Sequence, residues 1–408
     1  MSGLIVQKFG GTSLANASKV MAAAARVVRT MNEGLKVVVV VSAQGVMTDK
    51  LINKARQIYT DVSKRELDML LATGEQQSAA LLAIGINKLG KQAISLNAQQ
   101  VGIVSTSRHG NAEIKSVDTK RLNLEISAGK AVIVTGFQGV NKYDDITTLG
   151  RGASDTTAVA LAYVLDAKYC EMYTDVDGIY TADPRMVSSA IKLRSIRYID
   201  MIELAASGVK KPHNRAVEMA KKYGVLVLVR SSLNDNPGTW IKEDAGVERL
   251  NVSGLAIDRN IARIVVKGES GRLLDYRLFS ILAASDILVD LIAQPHGLGS
   301  DIVFTVRKQD VSKTLKVLCD NKEALSISSA LADENLAKFT VVGSGMSTNC
   351  GIAAKILSAI DECGVKVEMV AAGEIKMTVL VDEKRVIDAA RAVHDRLLPE
   401  FTASEGHK

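Results

Sequence analysis

Three short stretches of this chain gather the side chains best suited to chemistry. Lys8-Phe9-Gly10-Gly11-Thr12-Ser13 lies between a strand-like run and a helical pattern. Two glycines let backbone N–H groups approach an anion, the following helix adds its positive end, and Lys8 brings a full charge. That is chemistry for holding phosphate, although an ordinary glycine turn with a solvated lysine reads the same over six residues. The stretch is neither the P-loop nor the dinucleotide-binding glycine pattern. In the second stretch, Thr148 to Thr157, Gly150 and Gly152 flank Arg151, and hydroxyls and a carboxylate then lead into a helix. Arg151 can grip a carboxylate or phosphate bidentately and Ser154 can cap the helix; a glycine loop with an exposed arginine is the plainer alternative. The third, Tyr173 to Arg185, packs three aspartates, two tyrosines and an arginine behind a strand. Open α/β sheets bind ligands at such strand ends. The spacing fits no calcium loop, and a turn-rich surface loop is the other reading.

The elements that must position these groups are legible as alternating patterns. Strands read at Ile5-Val6, Lys36 to Val41, Ala93 to Leu96, Ala131 to Val134, Cys170 to Tyr173 and Val225 to Val229. Helical patterns read at Ala17 to Met31, Leu67 to Leu89 and Ala158 to Leu165. Continuous apolar strands spaced by helices predict a mostly parallel sheet covered on both faces. Near Pro237-Gly238 the texture changes, and Ile241 to Arg249 reads as a charged connector. Beyond it the chain repeats itself: Phe279 and Leu357, and Asp290 and Glu368, are each 78 positions apart. Strand–helix–strand–strand–helix, twice over, predicts two small α+β modules that regulate or assemble rather than catalyse.

Composition narrows the function. The chain has 408 residues, enough for two or three domains at roughly 150 residues each. With 47% apolar and 24% charged residues it is a globular chain and not a disordered one. The net charge of +6 is spread along the sequence, and aromatics make up only 4%, so neither a nucleic-acid partner nor a membrane surface is expected. Val37 to Val41, the strongest apolar run, is far short of the ~20 residues that span a bilayer. Four unpaired-looking cysteines and an amino terminus without leader features give a cytoplasmic expectation. Five scattered histidines offer no protein-built metal site.

Together with Leu71-Ala72-Thr73-Gly74-Glu75 and Gly136-Phe137-Gln138-Gly139-Val140, the three stretches resemble the aspartokinases of the amino-acid kinase superfamily. The resemblance covers essentially the whole chain and implies an amino-acid-kinase α/β sheet followed by paired ACT modules of ferredoxin-like form. It places a catalytic domain at 1–245, one ACT module at 262–335, and a second at 250–261 with 336–408. The implied reaction is ATP-dependent phosphorylation of the side-chain carboxylate of L-aspartate, with Mg²⁺ held mainly by ATP oxygens. Lys8 and Asp155 are the implied catalytic residues. Ser42, Thr48, Glu75, Arg151 and Ser154 match the substrate positions, with Arg151 on the α-carboxylate and Glu75 on the α-ammonium. Lys8, Gly10, Gly11, Ser13, Thr174, Asp175, Tyr180, Arg185 and Lys210 match the nucleotide positions. A homo-oligomer joined through its ACT modules is implied as well.

The departures from the family pattern are also informative. Lys211-Pro212 stand where the family is apolar, and a proline removes a backbone donor and bends the local path. The first module reads Glu269-Ser270-Gly271-Arg272 at its usual Pro-Gly turn, and its second strand ends Gln294-Pro295 instead of Gln-Asn. The second module has Ala371-Ala372-Gly373-Glu374-Ile375 where Ser-Thr-Ser-Glu-Ile is usual. Asp275, Gln294 and Asn349 thus mark a degenerate effector site, and feedback inhibition by lysine or threonine is expected to be weak or absent. Two alternatives stay open: a carboxylate kinase of a specialised pathway, and an amino-acid-binding regulatory subunit.

Overall fold

The computed structural model describes residues 3–150, 152–243, 252–268, 276–293, 301–346 and 350–403. They fall into two compact units. The first holds 1–179, 192–206 and 210–247; the second holds 180–191, 207–209 and 248–408.

The first unit is built on strands β1 (Leu4–Phe9), β2 (Lys36–Val41), β3 (Ala93–Leu96), β4 (Ile103–Ser105), β5 (Ile114–Val117), β6 (Ala131–Thr135), β7 (Gln138–Val140), β8 (Ile146–Thr148), β9 (Cys170–Thr174), β10 (Ser195–Arg197), β11 (Val227–Ser231) and β12 (Thr239–Lys242). Eight of them form one sheet in the order β10-β12-β11-β9-β1-β2-β6-β3, and every pair except β11–β12 is parallel. The five valines of β2 are all buried, as a strand covered on both faces requires. Helix Ala17–Asn32, capped by Asn16 accepting from the Lys19 amide, lays Val20, Ala23, Ala24 and Val27 on Phe9, Val39 and Ile133. Phe9 stacks on Tyr173 across the β1–β9 pair at 4.7 Å between centroids.

Some elements differ from the sequence expectation. A second sheet, β5-β4-β7-β8, was not expected; its strands of three or four residues are too short to show a period. Ile241 and Lys242, read as connector, belong to β12, which is paired on both sides between the edge strand β10 and β11. Helix Met47–Ile58 fully buries no residue, and Leu51 and Ile52 on its apolar face pack against a cluster that includes Leu71, Phe137 and Leu149.

The second unit contains β13 (Val252–Asp258), β14 (Ile261–Gly268), β15 (Ile292–Ala293), β16 (Ile302–Arg307), β17 (Ile327–Asp333), β18 (Leu336–Gly343), β19 (Val367–Ala372) and β20 (Lys376–Asp382). They make two antiparallel sheets, β15-β16-β14-β17 and β13-β18-β20-β19. β15 pairs with β16, and the pairing extends backward through Asp290 and Leu291, which exchange backbone hydrogen bonds with Thr305. Each sheet has its own core, one under helices Tyr276–Ala284 and Val311–Asp320, the other under Cys350–Glu362 and Val386–Ala403.

A small apolar cluster of Ile261, Leu336, Leu380, Leu291 and Met369 joins the two sheets. Ion pairs surround it. Arg263 reaches Glu368 at 3.0 Å, Lys338 pairs with Asp290, and Lys308 meets Glu383 at 2.7 Å. Arg263 and Lys338 hold equivalent places, 75 positions apart like Gly268 and Gly343, and the acids are equivalent too. Each module therefore lends a cation to the other's acid, while Lys308 and Glu383 are themselves equivalent positions.

Candidate active site

Because β9, β1, β2 and β6 run parallel, the loops that leave their carboxyl ends share one edge of the sheet. Backbone hydrogen bonds extend the ladder into those loops: Gly10 donates to Tyr173, Ser42 to Phe9, Gly45 to Gly11 and Gly136 to Val41. Gly11 has no room for a side chain, since a Cβ there would lie 2.4 Å from the Ala43 carbonyl oxygen. Gly136 is equally confined, its Cβ position lying 2.7 Å from Cβ and Oγ of Ser154. Phe137, although buried, takes φ +71°, a region costly for an aromatic residue, and donates its amide to Thr157 Oγ1.

Lys8 lies near the end of β1, only 8% exposed, with Nζ 2.6 Å from Asp155 Oδ1. Asp155 is in the first turn of helix Ser154–Val164, and its other oxygen accepts from the His213 amide at 3.0 Å. A buried ammonium needs such a partner, and the carboxylate fixes where its charge points. Gly10 stands beside it: a Cβ there would be 3.7 Å from Lys8 Nζ. A fixed cation next to a glycine turn suits an anionic phosphoryl group.

Glu75 is on helix Lys64–Lys88, 3% exposed, and Oε1 accepts from the Ala43 amide at 2.9 Å. Oε2 is buried and has no hydrogen-bond partner among the described residues. Burial pushes the pKa up to about 7 despite the Ala43 hydrogen bond. An unpartnered carboxylate oxygen of this kind suits a ligand ammonium. Ser42 and Thr48, both half-buried, follow β2 and begin helix Met47–Ile58, and Ser154 is buried. Arg151 lies outside the described residues. Arg215 donates to the carbonyls of Leu149 at 2.9 Å and Ala112 at 3.0 Å. Gly152 takes φ +76°, and a Cβ would lie 2.5 Å from His213 Cδ2.

Among the residues matched to nucleotide positions, Ser13 donates to Ser232 at 2.8 Å, and the Ser232 hydroxyl and amide both donate to the Thr174 carbonyl. Thr174 Oγ1 donates to Asp175, and Lys211 Nζ sits 3.2 Å from the same oxygen. Burial raises the Asp175 pKa, but the Thr174 hydroxyl and the Lys211 ammonium outweigh it, so the carboxyl stands below its ordinary value. Lys210 is exposed, and the lysine contact to this loop is made by Lys211. Tyr180 and Arg185 cluster with the second unit. Asp275, Gln294 and Asn349 lie outside the described residues. Ser232, His213 and Arg215 were not among the expected site residues. The last two sit in the segment that carries Lys210; Ser232 has no signal beyond a serine pair after a strand. Among the described residues no group of three or more His, Cys, Asp or Glu could hold a metal ion.

Residues 3–231 match the model of the amino acid kinase family, the class that this glycine turn and sheet edge define, and residues 339–397 match an ACT domain. An aspartokinase of Geobacillus stearothermophilus is 44% identical over 397 residues, covering 96% of this chain and 97% of its own. Aspartokinase 2 of Bacillus subtilis is likewise 44% identical, covering 96% and 97%. The crystal structure of E. coli aspartokinase III in complex with aspartate and ADP matches at TM-score 0.81 and 25% identity, covering 97% of this chain and all of that one. The chain belongs to the aspartokinase family. No helix among the described residues is long and apolar enough to cross a membrane.

Proposed function

We propose that this chain transfers the γ-phosphoryl group of ATP to the side-chain carboxylate of L-aspartate, giving 4-phospho-L-aspartate and ADP. This is the first step toward the aspartate-derived amino acids. The observation that carries the reading is one sheet edge that combines the Lys8–Asp155 pair, the Gly10-Gly11 turn with its confined Gly11, and the unpartnered Glu75 oxygen. Full-length similarity to aspartokinases supports it.

The substrate carboxylate is already anionic at neutral pH, so no general base is needed. A carboxylate oxygen bonds to the γ-phosphorus as the bond to the β-phosphate oxygen breaks, and the electron pair leaves on ADP. The barrier is repulsion between anions and the need for in-line placement. Lys8 and the Gly11 amide offset charge on the moving phosphoryl group, whereas the Gly10 amide, expected as a second donor, is engaged by the Tyr173 carbonyl. Asp155 orients Lys8. Glu75 takes the α-ammonium and Arg151 the α-carboxylate, with Ser42, Thr48 and Ser154 completing the substrate side. Ser13, Thr174, Asp175 and Ser232 frame the nucleotide, with Lys211 in the place expected for Lys210. Mg²⁺ travels with the ATP phosphates and neutralises their charge.

In this reading, residues 1–245 are the catalytic domain, 262–335 the first ACT module, and 250–261 with 336–408 the second. The modules assemble copies of the chain, and feedback by lysine or threonine is weak because the sequence departs from the family at the effector positions. More than half inhibition by 1 mM of either at low aspartate would contradict the weak-feedback reading.

Hydroxylamine trapping of acyl phosphate, with MgATP and L-aspartate, D-aspartate, L-glutamate or N-acetylglutamate, tests the reaction. Hydroxamate from L-aspartate that is lost in Lys8→Ala supports it. Product from another acid moves the chain to a specialised pathway, and no product from any acid leaves a regulatory subunit.

A further inference from the structure

Asp68, on helix Lys64–Lys88, takes no part in the chemistry described above, yet it is 1% exposed and surrounded by donors. Its Oδ1 accepts from the Thr148 hydroxyl at 2.6 Å. Its Oδ2 accepts from the amides of Thr148 and Gly110, each at 3.0 Å, and lies 2.9 Å from His109 Nδ1. An ionised carboxylate only accepts, so His109 Nδ1 carries the hydrogen of that contact. Burying a lone acid is costly, and these donors offset the cost.

The donors come from two segments far from the helix in sequence. His109 and Gly110 lie in the turn between β4 and β5, and Thr148 ends β8. That turn and β8 are also joined to each other, since the Ala112 amide donates to the Thr148 carbonyl at 2.9 Å. The residues after Thr148 are fixed in turn. Leu149 donates its amide to the Phe137 carbonyl at 2.9 Å. Gly150 takes φ +88°, and a Cβ there would lie 3.0 Å from Asn111 Oδ1. Its carbonyl accepts from the Ala153 amide, just before helix Ser154–Val164.

The helix that carries Asp68 also carries Glu75. Seven residues make two turns, so the two acids project from one face of the helix, roughly 10 Å apart along its axis. Both are buried. One helix therefore links the acid that meets the α-ammonium, in the kinase reading above, to the anchor of the stretch 148–150, which leads to the groups for the α-carboxylate. An amino acid holds its two α-groups at a fixed separation, so a site binds both well only if their receptors are fixed relative to each other. We propose that Asp68 is a positioning residue for aspartate binding: through Thr148 and Gly110 it ties the stretch 148–150 to the helix of Glu75 and sets the spacing across the α-amino-acid site. This rests on the kinase reading. All of these residues belong to the first unit.

The test compares the full-length wild type with Asp68→Ala, Asp68→Asn and Thr148→Val. Hydroxamate formation gives kcat and the KM values for aspartate and ATP, and calorimetry in the presence of MgADP gives L-aspartate affinity. Amide exchange is followed over 108–112 and 146–150. Asp68→Ala should raise KM for aspartate and weaken L-aspartate binding roughly tenfold, with kcat and KM for ATP within about twofold. Both segments should lose protection together. Asp68→Asn keeps an oxygen toward the two amides and can donate to the Thr148 hydroxyl, so it should recover most of the loss. If Asp68→Ala does not fold, Thr148→Val, which removes only the bond to Oδ1, carries the same prediction at about threefold. Unchanged KM for aspartate in the folded variants of an active wild type overturns this proposal alone. An equal rise in both KM values does the same, because a general loosening of the fold would produce it. Wild type that neither binds nor phosphorylates L-aspartate removes the kinase reading, and this proposal with it.

Discussion

Lys8 and Asp155, from the end of β1 and the first turn of helix Ser154–Val164, meet at 2.6 Å with both side chains nearly shielded from water. The strand supplies a cation and the helix fixes its direction. Lys8→Ala and Lys8→Met should each lower kcat by about two to three orders of magnitude, as losing a charged transition-state donor does. Asp155→Asn should cost less in kcat, because the ammonium survives, and should lower thermal stability by leaving it poorly paired. Single-turnover hydroxamate assays and melting curves separate the two effects. A Lys8→Met enzyme with wild-type kcat would remove Lys8 from the chemistry.

Glu75 sets a pH dependence. Its folded pKa of about 7 stands above the ordinary 4.5, so its protonation contributes stability that is fully present below 4.5 and is lost as pH rises through 7. Only the ionised form attracts an ammonium well, so KM for aspartate should rise as pH falls from 8 to 6. Glu75→Gln should stabilise the free protein at pH 8 by up to about 3 kcal/mol while weakening aspartate binding. Urea titrations at pH 5 and 8 read the first effect, and a stability gain that is the same at both would rule out the titration.

The two adjacent lysines should behave differently. Lys211 reaches Asp175, whereas the Lys210 side chain is exposed. Lys211→Ala is expected to raise KM for ATP about three- to tenfold, and Lys210→Ala to leave it within twofold, in steady-state assays at saturating aspartate. The reverse order would return the nucleotide role to Lys210.

Lys338 is buried while its partner Asp290 is half-exposed. Removing the acid strands a buried ammonium, so Asp290→Asn should destabilise the second unit by about 2–3 kcal/mol. Adding Lys338→Met to it should recover most of that loss, since an apolar side chain there would meet Ile261, Leu336 and Leu380. Denaturant unfolding of the four members of the cycle checks this, and simple additivity would show that the two groups act independently.

Much of this was legible in the residues because parallel strands need long apolar β-branched runs and phosphate sites need glycine. The β2 valines, the Gly10-Gly11 turn and the 78-position repeat are of that kind. The small sheet β5-β4-β7-β8 was not, because three-residue strands show no period. β12 was hidden by its four-residue length and its neighbouring Pro237-Gly238, which mark a linker as readily as the approach to a strand. At the site, Arg151 stood out by its flanking glycines, whereas Glu75 entered through family likeness, since one acid on a long helix carries no signal alone. The contacts of Lys211 and Arg215 and the role of Ser232 depend on which loops the sheet brings together. Asp68, on the helix of Glu75, likewise gives no hint that Thr148 and Gly110 will surround it.

The Lys308–Glu383 contact sets lysine against glutamate at matching places of the two modules. Two copies of the first module docked in the same way would face lysine with lysine, and two copies of the second would oppose glutamate with glutamate. Like charges so placed repel, so this contact favours unlike halves over identical ones. Once the duplicated halves had diverged here, neither could stand in for the other, and their covalent linkage guarantees that each always finds its complement.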